Sequence, residues 1–148
     1  MRPQKGEVTV IGSILVGKKP LVSVAPDTLA SVIAELLYVN RIGAVLVIEA
    51  GKIVGLVSER DICAGLHTHG ANVLAASAAD IMTAAVVTAL PSITIAQAME
   101  IMTARRFRHL PVVEDGELLG VVSIGDLVKV RLDEAEAEAE AMKAYISS

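Results

Sequence analysis

A sixteen-residue pattern of this chain recurs sixty-five positions later, and that duplication constrains the fold more than any other feature. Residues 47–62 and 112–127 superpose without a gap and share valine, glutamate, two glycines, valine, serine and aspartate at matching places. Each copy closes on one pattern, Gly55-Leu-Val-Ser58-Glu-Arg-Asp61 and Gly120-Val-Val-Ser123-Ile-Gly-Asp126. A branched, apolar run precedes each serine and helical periodicity follows it, so each pattern reads as a strand-to-helix corner.

Such a corner has a definite chemistry. A helix N-terminus presents unpaired N–H groups and a partial positive charge, which suits a phosphate. A carboxylate beside it can accept two hydrogen bonds from a ribose diol, as acidic residues do in dinucleotide folds. Ser-x-x-Asp before an apolar run is equally a capping box. Two equivalent copies, each with glycine three residues before the serine, shift the balance toward a ribose-phosphate site. Cap and site are compatible roles.

The elements around each corner also repeat. Residues 8–16 read as packing material leading into the first repeat, Lys18-Lys19-Pro20 as a turn, and residues 21–24 as a short strand stopped by Pro26. Asp27 or Thr28 is the expected cap of a helix whose core stripe is Leu29, Val32, Ile33, Leu36 and Leu37. Residues 44–48 and 53–57 flank Ala50-Gly51 as a hairpin, and a helix over about 59–67 follows. In the second repeat, residues 86–88 are the short strand and Pro91 matches Pro26. Thr94-Ile-Ala-Gln97 is a capping box, with a stripe of Ile95, Ala98, Met99 and Met102. Asp115-Gly116 turns the second hairpin. The order in each unit is strand, helix, strand, strand, helix, an α/β (α+β) class of two tandem β-α-β-β-α repeats. Units this short leave a sheet face bare, so they are expected to pack together with pseudo-twofold symmetry. The expected divisions are an N-terminal lead over 1–10, repeats over 11–72 and 73–131, and an acidic C-terminal helix over 132–148.

Composition narrows the function classes. With 148 residues, 53% hydrophobic, the chain can bury one good core, and its net charge of −4 offers no broad basic surface to nucleic acid or an anionic membrane. The single cysteine, Cys63, excludes an intrachain disulfide and fits a reducing compartment. Residues 8–16 are too short to span a bilayer and lack a cleavage site of small residues, so a cytoplasmic location is expected. Cys63, His67 and His69 do not form a metal set, because His67 and His69 lie on different helix faces and no further ligand completes them. No metal is expected.

These residues resemble the paired cystathionine-beta-synthase (CBS) domains, or Bateman module. The resemblance rests on both Gly-x-x-Ser-x-x-Asp patterns, the hairpins before them, Asp80-Ile-Met-Thr83 and Arg108-His-Leu-Pro-Val112, and it covers about residues 11–131. It implies a cleft between the repeats that binds adenine nucleotides, AMP foremost, with ATP, NAD(H) or S-adenosylmethionine as further candidates. It also implies a homodimer of modules, and the chain looks like a stand-alone version.

Carried over by residue, the second corner would use Asp126 for the ribose and Ser123 for the phosphate, with Gly125 between them. Arg108, His109 and Pro111 stand where the hairpin strand begins, and Thr83 to Val87 would offer backbone to a base. The first corner has Ser58 and Asp61, but Gly43 and Ala44 replace the arginine and histidine, leaving Arg60 as its cation. Arg105, Arg106 and Arg108 also suit a solvated helix end. Beyond residue 131, the run Glu134-Ala-Glu-Ala-Glu-Ala-Glu140 extends the last helix, and Met142, Tyr145 and Ile146 give it something to dock, a dimer contact among the options.

Three classes of function follow. The first is a regulatory adenine-nucleotide sensor acting on an unidentified protein, and the second is a dimeric scaffold whose corners are only caps. An enzyme ranks third, because no triad, metal set or glycine-rich phosphate loop is present.

Overall fold

The structure, a computed structural model, describes residues 8–15 and 22–147. The expected turn at Lys18–Pro20 and the first residue of the expected strand, Leu21, lie outside the described residues. The elements in chain order are α1 (Ile11–Ile14), β1 (Ser23–Val24), α2 (Ala30–Asn40), β2 (Ala44–Glu49), β3 (Lys52–Ser58), α3 (Glu59–His69), a 3-10 turn (Gly70–Ala75), α4 (Ala78–Ile81), α5 (Ile95–Arg105), β4 (His109–Glu114), β5 (Glu117–Ser123) and α6 (Ile124–Ser147). They form two compact units, one of Lys19–Val87 and one that joins the described part of Met1–Lys18 to Thr88–Ser148.

In the unit of Lys19–Val87, β1 runs parallel to β2, and β2 pairs antiparallel with β3. The hairpin turns on Ala50 and Gly51 at φ 50° and 78°, the two left-handed residues that a tight turn between twisted strands requires. Ile33 and Leu37 of α2 pack with Val45, Val47, Val57, Ile62 and Ala78 into its core. The expected stripe is only half right, because Leu29 and Val32 are exposed while Ala30, Ile33 and Leu37 are buried. Leu29 is extended, at φ −69° and ψ 145°, and is itself the N-cap residue, so its side chain falls outside the helical phase. Neither Asp27 nor Thr28 caps α2. The Thr28 hydroxyl accepts from Ala25 N–H at 3.2 Å instead, and Ala30 N–H donates to Ala76 C=O at 2.8 Å.

The other unit repeats this plan with one strand missing. β4 and β5 form a hairpin in the same register, turning on Asp115 and Gly116 at φ 53° and 75°. The strand expected at residues 86–88 does not form, and only Ala89 bridges Val112 in parallel fashion. That bridge matches Val24 with Val47 in the first sheet, where Leu46 next extends the ladder to Ser23. Pro111 stands in the place of Leu46, and with no N–H to donate it ends the ladder after one bridge. The α5 capping box forms as expected, with Gln97 N–H donating to Thr94 Oγ1 at 3.0 Å and Thr94 N–H to Gln97 Oε1 at 2.9 Å.

The short leading helices are exchanged between the units. α1 precedes the first repeat in sequence but docks beside α5, with Ile11 N–H donating to Ile93 C=O at 2.9 Å and Ile95 N–H to Thr9 C=O at 3.2 Å. α4 precedes the second repeat but docks beside α2, with Ala78 N–H donating to Thr28 C=O at 2.7 Å. Residues 8–15 therefore pack with the second repeat, where the sequence had them leading into the first. Backbone bonds at equivalent places hold both.

Candidate functional site

Both corners form, and both are capping boxes. In the first, Ser58 N–H donates to Asp61 Oδ2 at 2.8 Å, the Ser58 hydroxyl lies 3.1 Å from the same oxygen, and Asp61 N–H donates back to Ser58 Oγ at 3.4 Å. In the second, Ser123 N–H donates to Asp126 Oδ2 at 2.8 Å and Asp126 N–H to Ser123 Oγ at 3.1 Å. A carboxylate has about four acceptor positions. In the first corner the cap therefore leaves acceptor capacity for a diol, and Asp61 Oδ1 has no partner among the described residues.

The hairpins bring the flanking residues to these corners. Register pairs Ala44 with Ser58 and His109 with Ser123. The carbonyl one residue earlier accepts the first N–H of each helix: Gly43 C=O from Glu59 at 3.0 Å and Arg108 C=O from Ile124 at 2.9 Å. The structure thus gathers Arg108, His109, Ser123, Gly125 and Asp126 at the start of α6, and Gly43, Ala44, Ser58, Arg60 and Asp61 at the start of α3. Arg108 and Arg60 are exposed, His109 is half-buried, and Pro111 is buried in β4. A Cβ on Gly125 would make only an ordinary contact, with Ser123 Oγ at 3.6 Å.

The two corners exchange a glycine and an arginine. Gly43 and Arg60 in the first correspond to Arg108 and Gly125 in the second. The first turn of α3 carries Glu59 as well as Asp61, whereas the first turn of α6 carries Asp126 as its only acid. The second corner is therefore the more favourable to an anion.

Thr83 pairs with Leu56, each N–H donating to the other's C=O at 2.9 and 3.0 Å, which sets Thr83 beside the strand that ends at Ser58. Beyond it, Val86 N–H donates to Ala84 C=O at 3.0 Å, and Val87 enters no backbone pairing among the described residues.

The structure also explains the motif glycines, which sequence reasoning left without a cause. A Cβ on Gly55 would run into the Met82 side chain, its Cβ included, and a Cβ on Gly120 would meet Leu15 Cδ2 at 3.0 Å. Each glycine is the seat for an apolar side chain that follows a leading helix. No local pattern could reveal this, because the partners are 27 and 105 residues away. A fourth capping box, unexpected from sequence, starts α4: Ser77 N–H donates to Asp80 Oδ2 at 3.1 Å and Asp80 N–H to Ser77 Oγ at 3.3 Å. Hydrogen bonds from the Ser77 backbone and hydroxyl hold the Asp80 carboxyl below its ordinary value.

Among the described residues, no group of three or more His, Cys, Asp and Glu side chains could hold a metal ion, and no helix is long and apolar enough to cross a membrane.

Comparison with known proteins bears on the same residues. The CBS domain family model matches residues 11–68 and 78–133. A mitochondrial CBS domain-containing protein of Arabidopsis thaliana is 33% identical over 112 residues, a match that takes in 72% of this chain and 54% of that relative. The chain thus spans about half of that relative's length. Among solved structures, a CBS-domain containing protein from Agrobacterium tumefaciens is 41% identical with a TM-score of 0.80, over 83% of this chain and 99% of that one. A CBS domain protein from Pyrobaculum aerophilum complexed with AMP is 30% identical with a TM-score of 0.71, over 80% of this chain and 89% of that one.

Proposed function

Because this chain belongs to the CBS-domain family and carries the domain twice, we propose that it is a regulatory module, not an enzyme, that binds an adenine nucleotide of the AMP type. Its occupancy would bias the surface shown to a second protein or to another copy of the chain. The observation that carries this reading is the gathering of Arg108, His109, Ser123 and Asp126 at the first turn of α6. A helix start, a cation and a carboxylate are what a phosphate and a ribose diol need at neighbouring places. The AMP complex of the relative from Pyrobaculum aerophilum supports the ligand class. ATP, NAD(H) and S-adenosylmethionine share the adenosine and are weaker candidates.

The first corner, with Arg60 as its cation and Glu59 beside it, is proposed to hold a ribose and to favour phosphate less. The exposed free thiol of Cys63 supports a reducing compartment, and we take the protein as cytoplasmic.

A specific observation favours a second reading. Both Ser/Asp pairs make complete capping boxes, which account for these residues without any ligand. A scaffold that works without a ligand would show that geometry too. A thermal-shift panel of adenine and guanine nucleotides separates the two. The nucleotide reading expects a concentration-dependent rise in melting temperature with AMP and little with GMP. A flat response to the whole panel leaves the scaffold.

A further inference from the structure

We infer that α6 is one strand of a parallel two-stranded coiled coil with a second copy of this chain. This does not depend on nucleotide binding. α6 packs on its own unit through one face, with Leu127 buried and Val130 and Glu134 half-buried, and Glu134 Oε1 accepts from the Thr9 hydroxyl at 2.8 Å. Residues 135–147 are all exposed. A bare helical rod of that length is marginal in water without a packed face.

The exposed side has a regular seam. Val128, Leu132, Ala135, Ala139, Met142 and Ile146 follow one another at spacings of 4, 3, 4, 3 and 4, the alternation of d and a positions in a heptad repeat. Leu132, Met142 and Ile146 are 60%, 61% and 77% exposed. The seam runs for about 28 Å at 1.5 Å per residue. Its two central layers are alanine, which let the helices approach, and the larger side chains close both ends.

Charge selects the occupant and its direction. Lys129, Glu136 and Lys143 take the e positions, and Arg131 and Glu138 take g positions. In a parallel pair, g faces e of the next heptad, so Arg131 meets Glu136 of the second copy and Glu138 meets Lys143 of the second copy. All such pairs are opposite in sign. An antiparallel pair with the same core layers would instead set Lys129 against Lys143, and Glu136 and Glu138 each against itself. Of the intrahelical pairs now present, Lys143 with Glu140 at 3.7 Å is solvent-exposed and Arg131 with Glu134 at 3.5 Å is partly so, and both are readily exchanged.

The test is cross-linking. In a parallel seam, residue 139 faces residue 139 of the second copy within disulfide reach. The full chain carrying Ala139→Cys, with Cys63→Ser to remove the native thiol, should become largely covalent dimer under oxidised glutathione. Adding Arg131→Glu with Lys143→Glu makes the facing positions 131, 136, 138 and 143 of one strand all acidic, and adding Glu136→Lys with Glu138→Lys makes the same four of another all basic. Each alone should lose at least tenfold in cross-linking, and the mixture should restore it as the heterodimer. All four substituted positions are exposed on α6, and unchanged melting temperatures would confirm folded protein. Absence of the 139–139 cross-link, preferential linking of Ala135→Cys to Ala139→Cys, or indifference to charge reversal would each overturn the inference.

Discussion

The two corners are built on the same serine, aspartate and glycine and differ in where they hold their arginine. The second corner brings it from the hairpin strand, as Arg108, and has only Gly125 on the helix. The first has Gly43 on the strand and Arg60 on the helix, next to Glu59. The comparison teaches that a shared backbone motif sets the cap and the carboxylate, while the exchangeable positions around it set what a corner can hold.

Removing the carboxylates tests this most severely. Charge-assisted hydrogen bonds are worth roughly 1.5–3 kcal/mol on truncation, so Asp126→Ala is expected to weaken AMP binding by well over tenfold in calorimetry. Asp61→Ala should cost less, because a ligand with a phosphate prefers the other corner. Equal losses would erase the distinction between the corners.

The glycines should be unequal in stability. Gly55→Ala forces Met82 aside at its Cβ as well as its sulfur, an overpacking expected to cost about 1–3 kcal/mol. Gly120→Ala meets only the tip of Leu15, which can rotate away, and should cost much less. Chemical denaturation measures both, and rescue of Gly55→Ala by Met82→Ala would identify the collision as the cause.

The arginines come next. Arg108→Gly should reduce the preference for AMP over adenosine several-fold, whereas Arg60→Gly should leave it nearly unchanged. If Arg60→Gly has the larger effect, the phosphate has been assigned to the wrong corner.

Where the corners are alike, their losses should match. Ser58→Ala and Ser123→Ala are each expected to cost about 1 kcal/mol as lost caps, with or without ligand. A clear difference between the two melting temperatures would mean that one serine does more than cap.

The smallest effect concerns α4. Because the folded Asp80 carboxyl lies below its ordinary value of 3.8, its stabilisation is present above that pH and is lost as the pH falls through the lower folded value. Asp80→Asn should therefore flatten the acid limb of the stability curve below about pH 4, leaving the limb above it parallel to wild type.

Much of this was legible along the chain. The duplicated corner, both hairpins, the α5 cap and three of its four stripe residues, Ile95, Ala98 and Met102, which are buried while Met99 is half-buried, all depend on neighbours within a turn or two. Leu29 shows where such reading fails: periodicity put it in the core, but backbone bonds to residues 76 and 78 hold this part of the chain extended and turn its side chain outward. The missing strand at residues 86–88 was legible in principle, since Pro111 has no N–H, but only once the register showed which side of β4 that N–H would face.

The sequence by itself determined the two repeats, the residues at each corner and the order of strands and helices, because caps, turns and periodicity are local and each residue carries them wherever it sits. Only the tertiary structure decided that α1 docks beside α5 and α4 beside α2, and which side chains lie over Gly55 and Gly120. The two repeats are so alike that a leading helix could find equivalent backbone groups on either. Which one it takes depends on long-range packing that no window of sequence contains.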